Sequence, residues 1–201
     1  MTAIAVELLA VAPVERLALI GAGALARCHL ELLPPRLPQL CEIRVYDRER
    51  KRAGSLATSV SVTDSAEQAI RGAGLIVTVT TTTTPYLRHE WLQPGALLVN
   101  VSLDDPLPEV FLRADKLFVD DWNLIAADEH RLLGRLLREG TIARADDTEL
   151  GRLLAGAQHG RSHPDEIVVV NPFGLAIEDL AVAKQVYAFA TASGLGTNLD
   201  R

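Results

Sequence analysis

Cysteine is nearly absent. Cys28 and Cys41 are the only two in 201 residues, too few for a disulfide framework. They read as packed thiols of a chain kept in a reducing compartment, and the expected location is the cytoplasm. Basic stripes are lacking too. No stretch gathers Lys and Arg into a stripe, and the net charge of −6 is scattered, which argues against nucleic acid and anionic membrane as partners. No window approaches the roughly 18 uninterrupted apolar residues of a membrane span. Glu7 interrupts the first apolar run and no basic leader precedes it, so no secretory signal is expected. Internal repeats and low-complexity linkers are also missing. What is present is 48% hydrophobic and 23% charged residues, ample for a sizeable core. The length suits one domain plus an elaboration.

Apolar runs and helical stretches alternate along the chain. Residues 2–11 predict a short helix, Leu17–Ile20 a buried strand, and Ala24 to about Leu33 a helix broken by Pro34, Pro35 and Pro38. Ile43–Asp47 reads as a second strand and Arg48–Ala57 as a charged helix. Val60–Val62 is a brief third strand, and Asp64 or Ser65 caps a helix through Ile70. Leu75–Val79 does not alternate, the signature of a strand buried on both faces. Further strands are expected at Leu97–Val101, Lys116–Val119 and Ile167–Val170. Helices are expected at Glu129–Arg138 and Ile177–Ala192. Strands spaced by helices of this length specify an α/β fold, a Rossmann-type doubly wound parallel sheet. The expected organisation is a single domain over 1–201 with a C-terminal helical extension.

The chemistry concentrates at Gly21-Ala22-Gly23-Ala24-Leu25-Ala26. The pattern G-x-G-x-x-A gains force from its context: it follows a buried strand, opens a helix, and an acid, Asp47, ends the next strand 24 residues beyond Gly23. Gly21 lets the chain turn tightly, Gly23 lets the backbone approach a pyrophosphate, and Ala26 keeps the helix close to the sheet. Phosphates are favoured at the helix start by free N–H groups and the helix dipole. Asp47 is placed to accept from the ribose hydroxyls, which favours NAD; Arg48 beside it suits a 2′-phosphate. Thr80, Thr81 and Thr82, at the exit of the buried strand, read as walls of the cofactor site, with a plain polar strand exit as the other reading. Asp104 precedes Pro106 and a helix, so its residues alone allow either a crevice carboxylate or a helix cap. His29 reads as a helix-packing residue. Asp120 and Asp121 read as exposed or capping, with no third ligand for a metal. Glu178 and Asp179 read as first-turn acids.

With these segments in order, the chain resembles the ornithine cyclodeaminase/mu-crystallin family over residues 2 to about 196. The resemblance runs through Leu19–His29, Val45–Arg48, Val79–Pro85, Pro94–Ala96, Asn100–Asp104, Glu149–Gly151, Gly160–Arg161 and Gly174–Ala181. Ser102-Leu103-Asp104, Val119–Trp122 and Asn171–Leu175 are similar to the 2,3-diaminopropionate synthase branch, which serves siderophore and peptide-antibiotic pathways. That branch oxidises N-(1-amino-1-carboxy-2-ethyl)-glutamate with NAD and hydrolyses the imine to diaminopropionate and 2-oxoglutarate. The resemblance implies that Asp104 is the catalytic acid near the substrate nitrogen and the hydrolytic water. It also implies that Ser102, Asn171 and Gly174 belong to the cofactor site.

The same family carries a substrate domain ahead of this unit, which holds the substrate carboxylates and builds the dimer. Met1–Ala5 matches the helix just upstream of the first strand, so the substrate domain is expected to be absent. Arg161, in a mobile loop, and Lys184, in mid-helix, are then the only cationic candidates late in the chain. The expected partners are a small amino-acid substrate and either a second copy or a separate chain carrying the substrate domain. Two functions compete: an oxidoreductase of the diaminopropionate-synthase type, or a nucleotide-binding module without turnover. A ketimine reductase is a third.

Overall fold

The computed structural model describes residues 1–145, 148–157 and 159–197. The expected domain of 1–201 therefore reaches, at 198–201, beyond the described residues. Seven strands form one sheet, each paired parallel to its neighbours. In chain order they are β1 (Arg16–Ile20), β2 (Glu42–Tyr46), β3 (Ser61–Val62), β4 (Leu75–Thr78), β5 (Leu97–Asn100), β6 (Lys116–Phe118) and β7 (Val168–Val170). The spatial order is β3-β2-β1-β4-β5-β7-β6, a Rossmann-type doubly wound sheet with β1 beside β4 at the point where the winding reverses.

Alternation along the strands divides the core in two. Leu17, Leu19, Leu75, Val77, Leu97, Val99, Val168 and Val170 face one side. Ala18, Ile20, Ile76, Leu98 and Val169 face the other. Both faces are covered, which is why these strands read as continuous apolar runs. The first side receives α1 (Thr2–Leu9), α2 (Ala24–Leu32) and α8 (Leu150–Leu154). The second receives α4 (Ala66–Ile70), α5 (Pro108–Arg113), α6 (Trp122–Ala127) and α7 (Leu132–Arg138). Between β2 and β3 runs α3 (Arg50–Gly54), and the described chain closes with α9 (Ala176–Ala192). No described helix is long and apolar enough to cross a membrane.

Several expectations shift. Both cysteines are exposed rather than packed. The helix expected from Glu129 starts at Leu132, because Asp128 Oδ1 accepts from the amides of His130 and Arg131 and holds that stretch as a turn. Ser65, not Asp64, caps α4, accepting from Gln68 N at 3.1 Å. The short helices α6 and α8 are additions to the sequence reading. Arg161 is not mobile: its guanidinium donates to the carbonyls of Leu9, Gly95, Ala96 and Glu166. It thus ties the end of α1 to the starts of β5 and β7.

Candidate functional site

The turn after β1 has its geometry forced by one glycine. Gly21 has φ +106°, and a Cβ there would lie 2.8 Å from the carbonyl oxygen of Val79. Side chains are excluded on both counts. Gly23, the cap residue of α2, faces open space with nothing within 4 Å of a built Cβ, and no side chain caps the α2 amides. Uncapped N–H groups beside an open glycine are what an anionic phosphate needs. Ala26 is fully buried against the sheet, so it holds α2 close instead of facing the ligand.

Asp47 closes the turn from the side. Its Oδ2 accepts from Ala22 N at 2.8 Å and its Oδ1 from Glu49 N at 2.8 Å. The result is a cavity of about 480 Å³ at the C-terminal ends of β1, β2 and β4. Its walls include Gly21, Ala22, Gly23, Asp47, Arg48, Thr80, Thr81 and Thr82, so those eight expected residues are brought together. Tyr46, Glu49, Arg52 and Tyr86 also line it; sequence reasoning passed over them. Arg52 lies four residues beyond Arg48, and that spacing was the available signal.

The threonine wall is held from behind by a buried acid. Asp105 is fully buried, and its two carboxylate oxygens accept from Thr80 Oγ1, both at 2.9 Å; Oδ1 also accepts from the Tyr86 hydroxyl at 2.9 Å. Burial pushes Asp105 above the usual carboxylate range, partly offset by the hydroxyls of Thr80, Tyr86 and Ser102. Burial and the Asp105 charge together push the Tyr86 phenol far up. Ser102, itself buried, accepts from Thr80 N at 2.6 Å. Ser102 thus supports the wall and is not among the cavity-lining residues.

A second buried line crosses the ends of β4, β5 and β7. Thr78 Oγ1 donates to Asn100 Oδ1 at 2.6 Å, and Asn100 Nδ2 donates to Asn171 Oδ1 at 2.6 Å. This holds Asn171, while Asp120 Oδ2 holds the next residues by accepting from Phe173 N at 2.8 Å and Gly174 N at 2.6 Å. Asp120 is therefore buried, not exposed; Asp121 caps α6 as read. Gly174 itself is exposed with φ +91°. Asp104 is 4% exposed, and its Oδ1 accepts from Leu132 N at 2.9 Å. Ala24 and Leu25 are exposed on the first turn of α2. His29 packs as expected, bonded to Leu25 O and Thr2 Oγ1.

A hollow of about 530 Å³ lies along β6, lined by Lys116, Phe118, Trp122 and His159 among others, remote from the glycine turn. Among the described residues no grouping of three or more His, Cys, Asp or Glu suits a metal ion.

A wholly parallel sheet with an uncapped glycine turn at its switch point, faced by a carboxylate on the next strand, defines a dinucleotide-binding domain. The chain belongs to the ornithine cyclodeaminase/mu-crystallin family, whose sequence profile matches residues 1–194. It is 32% identical over 210 residues to the N-((2S)-2-amino-2-carboxyethyl)-L-glutamate dehydrogenase of Staphylococcus aureus, covering 100% of this chain and 62% of that protein. Among solved structures, CmnK superposes with a TM-score of 0.90 at 40% identity, over 99% of this chain and 61% of that one. The Delta(1)-pyrroline-2-carboxylate reductase of Thermococcus litoralis, in complex with NADH and L-proline, gives 0.89 at 26% identity, over 98% and 65%. The chain thus spans about three fifths of the length of the relatives it matches.

Proposed function

We propose that the chain is the NAD-binding part of an oxidoreductase that breaks a C–N bond in an amino-acid-derived secondary amine, in the manner of 2,3-diaminopropionate synthase. The observation that carries the reading is the open cavity between Gly23 and Asp47. Its residues fit a dinucleotide: uncapped amides for the pyrophosphate, Asp47 for the ribose hydroxyls, and the threonine wall beyond. The Staphylococcus aureus relative is named for such an amine, and the reductase from Thermococcus litoralis holds NADH.

NAD, when bound, supplies the hydride acceptor. The chain's own part is to orient and to move protons. Asp104, with one oxygen fixed by Leu132 N, is the candidate base for the amine proton and for the water that attacks the imine. Asn171 and Gly174, fixed through Asn100 and Asp120, bound the nicotinamide side. The substrate is held between this unit and a second body. A partner-dependent module is favoured by α9, in which no residue is buried.

Calorimetric titration of NADH and NADPH tests the cofactor. NADH binds more tightly, because Asp47 repels a 2′-phosphate; Asp47→Ser, which leaves Arg48 and Arg52 in place, narrows the gap by about tenfold. Equal or tighter NADPH binding by the unaltered chain would refute the preference. In the same preparation, NADH formation from N-(1-amino-1-carboxy-2-ethyl)-glutamate is expected to be very slow. Substrate positioning worth roughly 7–11 kcal/mol is forfeited without a clamp on both sides. Brisk turnover by a monomer would remove the need for a partner.

A further inference from the structure

The cations expected to hold an amino-acid substrate are accounted for otherwise. Arg161 is spent on four backbone carbonyls, and Lys184 is exposed on α9. Arg48 and Arg52 belong to the cofactor cavity. Arg131 is different. Its Nη1 is buried and has no hydrogen-bond partner, one of two such side-chain atoms among the described residues. No ion pair engages its guanidinium among those residues. Asp128 accepts from its backbone amide at 2.9 Å and acts on its charge through space, without forming an ion pair. The guanidinium carbon instead lies 4.2 Å from the centroid of the Phe173 ring.

A cation with a buried, unbonded nitrogen and no paired anion is costly, and an aromatic face offsets only part of the cost. Its position gives the cost a purpose. Arg131 directly precedes Leu132, whose amide is bonded to Asp104, so the backbone that carries the cation meets the candidate base at the sheet's C-terminal edge. Phe173 sits in the loop that Asn171 and Asp120 anchor, so the ring beneath the guanidinium is carried on a held backbone. A planar, pre-oriented fork of donors matches a carboxylate.

We propose that Arg131 binds a carboxylate of the amino-acid substrate beside Asp104. This rests on the oxidoreductase reading above and adds the group that recognises the substrate on this chain.

Glutarate, a plain dicarboxylate, serves as the probe, with neutral glutaramide as its control. Both are titrated by calorimetry into the full chain loaded with NADH. Saturable glutarate binding is expected in the unaltered protein and none with glutaramide. Arg131→Met weakens glutarate by at least about tenfold, the loss of a charge-assisted pair; Arg131→Lys, with charge but no fork, falls between. NADH affinity stays within about twofold in each, since Arg131 is not among the cavity-lining residues. The melting temperature of Arg131→Met is unchanged or raised, whereas removal of a merely structural arginine lowers it. Undiminished glutarate binding in Arg131→Met, equal binding of glutaramide, or no saturable glutarate binding in the unaltered chain would each overturn the proposal. Failure of NADH to bind would overturn the dinucleotide reading alone, and glutarate titration of the cofactor-free chain then decides Arg131 separately.

Discussion

Helices α1 and α9 are both rich in Ala, Val and Leu, yet α1 buries Thr2, Ala5, Val6 and Leu9 while α9 buries nothing. In α1 the buried residues share one face and meet the sheet at β5 and helix α8. In α9 the apolar residues Ile177, Leu180, Val182, Val186, Tyr187 and Phe189 point all ways and are between 61% and 74% exposed. A helix that is apolar all round belongs inside something. The comparison teaches that composition sets the appetite for burial, whereas the opposing surface decides whether burial occurs.

The sharpest test contrasts glycines of like backbone in the two regions. Gly21, in the body, and Gly174, just before α9, both have positive φ. Alanine at Gly21 adds a clash with Val79 O to the backbone strain, and the expected result is loss of NADH binding together with a stability loss above the roughly 1–3 kcal/mol of strain alone. Alanine at Gly174 meets no atom within 4 Å, so strain of that size is its whole cost. Chemical denaturation with and without NADH checks both; equal losses would erase the distinction.

Asp105 gives a smaller, pH-dependent contrast, because the body buries this carboxyl fully whereas no residue of α9 is buried. Burial raises its folded pKa, so only between the unfolded and the folded value does the folded chain keep a proton that the unfolded chain has released. The stability contributed is therefore present below the unfolded carboxylate range and lost as pH rises through the folded value. Relative to Asp105→Asn, the unaltered protein should lose ground as melts are taken from acid to neutral pH. A gap that widens in its favour would reverse the assignment.

The smallest effect is expected on α9. Leu180→Glu with Phe189→Glu should alter folding stability by no more than about 0.5 kcal/mol each, as at any exposed site, while reducing self-association in sedimentation. A large drop in melting temperature would mean that α9 is packed in solution.

Most of the sheet was legible because both faces of β1, β4 and β5 are apolar and their flanks are punctuated by glycine and proline. The glycine turn and Asp47 were legible for the same reason: their spacing is local. What escaped was long-range. Arg161 sits in a Gly-Arg segment that looks loose, and its four acceptors come from three separate places in the chain. Asn100 and Asn171 are 71 residues apart, so neither signals the other. Asp120 reads as a surface acid until the loop it holds is folded beside it. Arg131 is one arginine among many until its lack of a partner is seen.

The tie between Arg161 and Leu9 spans 152 residues and has a consequence in time. At a synthesis rate of roughly 5–20 residues per second, α1 emerges about 8–30 s before the arginine that fastens its end. Its supports from β5 and α8 also arrive late, whereas the bond of Thr2 to His29 on α2 is available early. Made before the seven strands of this sheet, α1 thus completes its docking late, and part of its apolar face stays uncovered while those strands assemble.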